Sequence, residues 1–132
     1  MTNSLVETAQ QMVNFQPLNP VQAEQLITEA NKLLEQMPDV LLEINERRYE
    51  AERAWSKAKN TAMVKHHANK MPVSIARAQA EVDAQPEREV FDRARAEFHY
   101  AEDTAKALTT KIYSLLNLNK SVTAAYNSYR GG

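Results

Sequence analysis

The chain has 132 residues, of which 25% are charged, and a formal net charge of −1; this composition is typical of one folded domain and excludes wholesale disorder. It contains no cysteine, which excludes disulfides and zinc–thiolate sites and suits a reducing compartment. No apolar run approaches the roughly 20 residues of a membrane span, and no secretory leader pattern opens the sequence, so we expect a cytoplasmic protein that does not enter a membrane.

Glycine is confined to Gly131 and Gly132, whereas tight β-hairpins and phosphate-binding loops need residues that adopt positive φ. The chain is therefore predicted to be all-α. We expect a long antiparallel, coiled-coil-like helical hairpin, with one or two short N-terminal helices packed at its base, in a single domain 1–132.

Residues 1–38 are assigned to the N-terminal helices. Ser4 and Glu7 have the spacing of a capping box, which predicts that Ser4 caps the first helix. Asn19 and Pro20 suit the cap and the first position of the next helix. The first helix is expected either to cover the hairpin or to dock a second copy or another protein.

Residues 39–70 are predicted to form the first helix of the hairpin. The pattern leaves open whether Pro38 separates two helices or bends one. Seven residues follow one another at alternating spacings of three and four, as in the seam of a helix that lies along another. They are Leu41, Ile44, Arg48, Ala51, Trp55, Ala58 and Ala62. We expect Arg48 to lay its aliphatic stem on the neighbouring helix and to point its guanidinium outward.

Residues 71–86 are predicted to form the far end of the hairpin. Met71 and Pro72 end the incoming helix. Ser74 is expected to cap a short helix, and Pro86 suits the first turn of the outgoing helix.

Residues 87–119 are predicted to form the second hairpin helix, because they carry the clearest seam in the chain. Its positions are Phe91, Ala94, Phe98, Ala101, Ala105, Leu108, Ile112 and Leu115. The C-terminal tail, residues 120–132, continues the helical spacing through Tyr126 and Tyr129.

Charge is segregated along the chain and favours an antiparallel pairing. Residues 53–80 contain six bases and no acid, whereas residues 81–103 contain eight acids and three arginines. Folding the chain about residue 78 lays the basic stretch along the acidic one. The same register places Trp55 opposite Ala101 and Phe98 opposite Ala58, so that large side chains meet small ones.

The histidines do not form a metal-binding pattern. His66 and His67 are adjacent, so on a helix they point about 100° apart. His99 has Glu102 and Asp103 after it, but the repeated Glu-x-x-His motif of carboxylate-bridged metal bundles is absent. A narrow hairpin also offers little concave surface for a catalytic pocket. We expect no metal, no cofactor, no catalytic residue and no enzymatic activity.

The acid-free stretch is instead the candidate partner-binding surface. Its residues are Arg53, Lys57, Lys65, His66, His67, Lys70 and Arg77. Bases at this density suit an acidic partner, either a protein or the phosphates of a nucleic acid. In the second case Tyr126, Tyr129 and Arg130 are candidates for stacking on exposed bases. Because a two-helix hairpin buries only one face of each helix, we also expect a homodimer.

Two stretches, 47–58 (Arg-Arg-Tyr-Glu-Ala-Glu-Arg-Ala-Trp-Ser-Lys-Ala) and 96–117 (from Ala-Glu-Phe-His-Tyr-Ala-Glu-Asp to Leu-Leu-Asn), resemble short coiled-coil proteins encoded in the early regions of phages that infect Gram-positive bacteria. The resemblance implies a phage or prophage origin, a location in the host cytoplasm and a small accessory role without catalysis.

Three functional hypotheses follow. One is a purely structural spacer, for which reversing the charges of the basic end would leave function intact; the other two assign a binding partner. In the first, the chain is a helical protein-interaction protein that binds a host defence or nucleic-acid-processing complex and inhibits it by steric occlusion, as an anti-CRISPR or other anti-defence protein does. In the second, it binds DNA or RNA as a dimer and assists phage recombination or replication.

Overall fold

The computed structural model describes the backbone of residues 3–131 and the side chains of residues 3–128. Within these limits it contains four helices and no strand: α1 (Ser4–Asn14), α2 (Pro20–Ala68), α3 (Val73–Asp83) and α4 (Gln85–Gly131). The long helices α2 and α4 pack together. The predicted all-α helical hairpin is therefore confirmed.

Helix α1 begins one residue earlier than the capping box suggests. Asn3 is its N-cap, and the Asn3 Oδ1 atom accepts a hydrogen bond of 2.8 Å from the backbone N–H of Leu5. Ser4 is the first helical residue, so the prediction that it caps the helix is wrong. Asparagine caps helices at least as well as serine does, and here it stands one position nearer the N-terminus.

Helix α2 begins as predicted. The Asn19 Oδ1 atom accepts a hydrogen bond of 2.9 Å from the backbone N–H of Gln22, and Pro20 occupies the first helical position. The Gln22 side chain in turn accepts a hydrogen bond of 2.8 Å from the backbone N–H of Leu18. Two donors that would otherwise lack partners are thus satisfied reciprocally.

Pro38 does not end α2, which continues through it to Ala68. A proline inside a helix cannot donate to the carbonyl group four residues earlier, here that of Leu34. Pro38 is exposed, so water can hydrate that carbonyl, while Leu33 and Met37 keep the apolar face of the helix buried. Pro38 therefore does not separate two helices but lies within one continuous helix.

The chain reverses between α2 and α3. Lys70 has φ 64°, the backbone N–H of Lys70 donates to the carbonyl of His67, and that of Met71 donates to the carbonyl of His66. This pair of bonds is a Schellman motif with Lys70 at the left-handed position, which glycine usually occupies.

Helix α3 lies in the returning arm of the hairpin. Its N-cap position is Pro72 and no side chain caps it, so the prediction of a Ser74 cap is wrong. The backbone N–H of Ala84 donates to Ala80, and that of Arg88 donates to Ala84. Helical hydrogen bonding therefore continues from α3 into α4.

The chain divides into two compact units, Met1–Val40 with Tyr100–Gly132 (unit 1) and Leu41–His99 (unit 2). In unit 1, α1 packs with the first part of α2 and the last part of α4. The side chain of Thr104, which is almost fully buried, donates to that of Gln10 at 3.2 Å. The Lys111 ammonium donates to the carbonyl of Val13 at 2.8 Å. Both bonds fix α1 on α4.

In unit 2 most of the buried side chains are alanine. Its buried residues include Ile44, Ala51, Ala76, Ala80 and Ala84. The larger contacts are aromatic: the ring of Trp55 stacks on that of Phe91, with centroids 5.6 Å apart and planes 14° apart.

The predicted register is wrong. Trp55 meets Phe91 rather than Ala101, and Phe98 lies under the guanidinium of Arg48, 4.5 Å from its ring centroid, rather than opposite Ala58. Arg48 is half-buried, and its guanidinium lies between the ring of Phe98 and that of Tyr49, which is 46% exposed. The prediction placed the whole segment 71–86 in the turn, whereas the chain reverses before α3 begins.

Replacing Pro38 by alanine is expected to raise the free energy of unfolding by about 1–3 kcal/mol, because the alanine N–H restores the missing helical bond. Urea unfolding followed by circular dichroism measures this. Pro20→Ala is the matched control and should change stability by less than about 0.5 kcal/mol, since the first helical N–H has no partner within the helix. Equal effects of both substitutions would contradict a continuous α2.

A double-mutant cycle with Trp55→Leu and Phe91→Leu is expected to give a coupling energy of about 0.5–1.5 kcal/mol, because the two rings stack. Chemical unfolding of the four proteins measures it. The control cycle combines Trp55→Leu with Phe98→Leu and should give a coupling near zero. A larger coupling in the control cycle would show that the register described here is wrong.

Candidate interaction surface around the α2–α3 turn

All seven of the predicted partner-binding residues lie in unit 2. Arg53, Lys57, Lys65 and His67 are exposed on the last turns of α2. Lys70 lies in the turn and Arg77 on α3, and both are exposed. Six of the seven side chains are thus accessible. Lys65, His67, Lys70 and Arg77 lie near the turn between α2 and α3, whereas Arg53 and Lys57 lie roughly 15–25 Å from the end of α2 along the helix.

His66 is the exception, because it makes an internal contact. Its Nε2 atom pairs with the carboxylate of Asp83 at the end of α3, and only 17% of its side chain is exposed. Gln79, one turn earlier on α3, also donates to Asp83, at 3.0 Å. His66 therefore joins α2 to α3 instead of facing a partner.

The environment of Asp83 favours its ionised form. The hydrogen bond from His66, followed by that from Gln79, holds the pKa of the Asp83 carboxyl below its usual value, and the positive charges of His66 and Lys65 act in the same direction. Sequence reasoning missed Asp83, because nothing in its local pattern shows that α3 turns this carboxylate toward α2.

Two kinds of basic residue occur in unit 2. Outside the acid-free stretch, Arg47 pairs with Glu97 at 3.2 Å, and Arg88, Arg93 and Arg95 pair with acids on their own helix. Arg48 differs, because its guanidinium lies over the ring of Phe98. Within the stretch, Lys59 pairs with Glu81 at 3.7 Å.

Lys65 appears in no ion pair of the described side chains, but its charge acts on Asp83. Four other exposed cations differ from all of these. Arg53, Lys57, Lys70 and Arg77 make no ion pair with any residue whose side chain the structure describes. They belong to the stretch that contains no acid. Of the acids just outside it, Glu50 lies one turn before Arg53 and Glu81 lies one turn after Arg77, but Glu81 pairs with Lys59 instead. Solvated cations along one arm of the hairpin attract an acidic partner.

Exposed apolar side chains accompany these cations. Val64 of α2 is 69% exposed, and on α3 Ile75 and Val82 are 54% and 65% exposed. Val73, at the start of α3, is also half exposed. Alternating cations and aliphatic side chains are what a protein partner contacts, since apolar burial supplies affinity and charge supplies orientation.

The aromatic rings of this region are engaged internally. Trp55 has Phe91 stacked on it, and the charged groups of Lys59 and Arg88 lie 4.8 and 5.2 Å from the Trp55 ring centroid. A ring held in this way is not a platform for a nucleic-acid base. Tyr126 belongs to unit 1 and is exposed, while the side chains of Tyr129 and Arg130 lie outside the described part of the chain.

Among the described residues, no three histidine or acidic side chains form a group able to hold a metal ion. His67 is exposed, and His99 lies beside the ring of Phe98 with centroids 5.8 Å apart. Within the same limits, none of the helices combines the length and the apolar character that crossing a membrane requires.

No protein-family model matches the chain, and no curated protein or solved structure is significantly similar to it. The resemblance of 47–58 and 96–117 to early-region phage proteins therefore stays a prediction.

The bond between His66 and Asp83 predicts a pH effect at low pH. The pKa of Asp83 is lower in the folded chain than in the unfolded one, so the carboxylate stabilises the fold above the ordinary carboxyl pKa of about 3.9. That contribution is lost as the pH falls through the depressed folded value.

We expect His66→Ala to raise the pKa of Asp83, and Gln79→Ala to raise it less, because the histidine is the stronger of the two causes. Carboxyl carbon NMR shifts recorded between pH 2 and 6 measure both. An unchanged pKa in His66→Ala would contradict the contact.

Proposed function

We propose that the chain is a non-enzymatic protein-interaction protein that binds an acidic surface of a larger protein through the end of unit 2. The observation that carries the proposal is a set of four exposed cations, Arg53, Lys57, Lys70 and Arg77, that form no ion pair with the side chains of residues 3–128. Unsatisfied charge of one sign on a surface with exposed aliphatic side chains favours an acidic partner that also offers apolar contacts.

The two parts of this surface have different tasks. Each exposed ion pair contributes only about 0.2–1 kcal/mol, so the cations speed encounter and fix orientation. Val64, Ile75 and Val82 contribute binding energy when a partner covers them, at roughly 25 cal/mol per Å² of apolar area.

The resemblance to early-region phage proteins suggests which partner this surface binds. The partner is a host defence or nucleic-acid-processing complex in the host cytoplasm, and the helical surface inhibits it by covering a site that the complex needs.

Direct binding to DNA or RNA is the second candidate, and the same four cations favour it, since phosphate contacts need accessible lysine and arginine. Two observations make it the weaker one. The exposed aliphatic side chains add nothing to phosphate binding, and Trp55 is stacked internally.

The test compares the wild-type chain with two triple variants that reverse the same number of charges. The surface variant carries Arg53→Glu, Lys57→Glu and Arg77→Glu. The control variant carries Lys32→Glu, Lys106→Glu and Lys120→Glu, which are exposed residues of unit 1. Each protein is immobilised and exposed to bacterial lysate with and without nuclease treatment, and captured proteins are identified by mass spectrometry.

We expect the wild type and the control variant to retain the same protein, and the surface variant to lose at least about nine-tenths of it, equivalent to 1.4 kcal/mol or more. Equal capture by all three proteins would contradict the proposal. Capture that disappears with nuclease, together with binding to a labelled 30-base-pair DNA whose log affinity falls linearly with log salt, would support the second candidate instead.

A further inference from the structure

Unit 2 contains an open groove between α2 and α4 whose lining includes none of the cations of the proposed binding surface. Its floor is formed by small apolar side chains, namely Ala51 and Ala54 of α2 and Val90 and Ala94 of α4. Ala54 is exposed, and Val90 is 55% exposed. Small side chains allow another helix to approach closely, because the distance between packed helices depends on the residues at the contact.

Four charged residues line the rim of this groove, and their signs alternate. Arg47 of α2 and Glu97 of α4 face each other at one level, as their ion pair of 3.2 Å shows. Glu50 and Arg93 are each about one helical turn nearer the α2–α3 turn, because the helices are antiparallel. At the first level the α2 side of the rim is positive and the α4 side is negative. At the next level the α2 side is negative and the α4 side is positive.

An alternating rim of this kind is complementary to itself. A two-fold axis parallel to the helices lays α2 of one chain on α4 of the other, so that Arg47 meets the partner's Glu97 and Glu50 meets the partner's Arg93. On the floor the same operation places alanine against alanine and valine. The rim has no net charge, so it offers no attraction to a nucleic acid or to a uniformly acidic protein.

We propose that a second copy of this chain occupies the groove, forming a two-fold symmetric dimer in which four helices pack with α2 facing the partner's α4. Arg47 and Glu97 have side chains that are 45% and 23% exposed, so each can pair across the interface as well as within its own chain. The dimer is independent of the acidic partner proposed above, because the four unpaired cations are not part of the groove lining.

Two charge-reversed variants test the pairing. The α2 variant carries Arg47→Glu and Glu50→Arg, and the α4 variant carries Arg93→Glu and Glu97→Arg. Alone, each variant places like charges opposite one another at four positions of the interface. In an equimolar mixture, a reversed α2 faces a reversed α4 and a native α2 faces a native α4, so complementarity returns. The Arg47–Glu97 pair within each chain is broken to the same extent alone and in the mixture.

Sedimentation velocity at about 50 mM salt, with one variant carrying a fluorescent label, measures dimerisation. We expect each variant alone to dimerise at least about tenfold more weakly than the wild type, and the mixture to form heterodimers with near wild-type affinity. A wild type that stays monomeric to about 1 mM would overturn the proposal. So would an α2 variant that dimerises as tightly as the wild type, which indicates α2 packing on α2, or a mixture without heterodimers.

Substitutions in the floor give a second readout that leaves the rim charges unchanged. Ala54→Glu places a charge in the groove and should weaken the dimer at least about tenfold, whereas Ala96→Glu, at an exposed position of α4 outside the groove, should not. Both substitutions replace alanine by a good helix former, so helicity is preserved. Equal dimerisation of the two variants would contradict the proposed face.

Discussion

The contact between α2 and the returning arm in unit 2 is the constraint on which the rest depends. Most of the buried side chains there are alanines, so apolar burial alone discriminates weakly between neighbouring registers. The stack of Trp55 on Phe91 and the position of Arg48 over Phe98 supply that discrimination. Each such contact contributes on the order of 1 kcal/mol. These few contacts fix which residues of the two arms become neighbours. They thereby also determine which charged side chains remain exposed.

The turn and α3 show how this register arises. Lys70 adopts a left-handed conformation and lets the chain reverse immediately after α2. Helix α3 then returns along α2, burying Ala76 and Ala80 and placing Asp83 against His66. The acid-free stretch consequently surrounds the turn, and its cations face solvent where no acidic residue of the same stretch can pair with them.

The helical class, the Asn19 cap and the existence of a short helix near residues 74–82 follow from local pattern, because spacing, capping and proline positions are local properties. The register cannot be predicted in this way. With alternating spacings of three and four, seam residues still face seam residues when one arm is shifted by ten residues, which brings Phe91 instead of Ala101 opposite Trp55. Pairing about residue 78 matches opposite charges and places large side chains against small ones. The chain nevertheless reverses earlier, at Lys70, where no glycine in the sequence marks the left-handed position. For the same reason the list of exposed bases was predictable, whereas the internal partner of His66 was not.

The most direct measurement is nuclear Overhauser spectroscopy of the uniformly labelled protein, since the chain contains a single tryptophan. The indole protons of Trp55 should show cross-peaks to the ring protons of Phe91, whose centroid lies 5.6 Å away. Cross-peaks from that indole to the methyl group of Ala101, with none to Phe91, would contradict the register and the surfaces that follow from it.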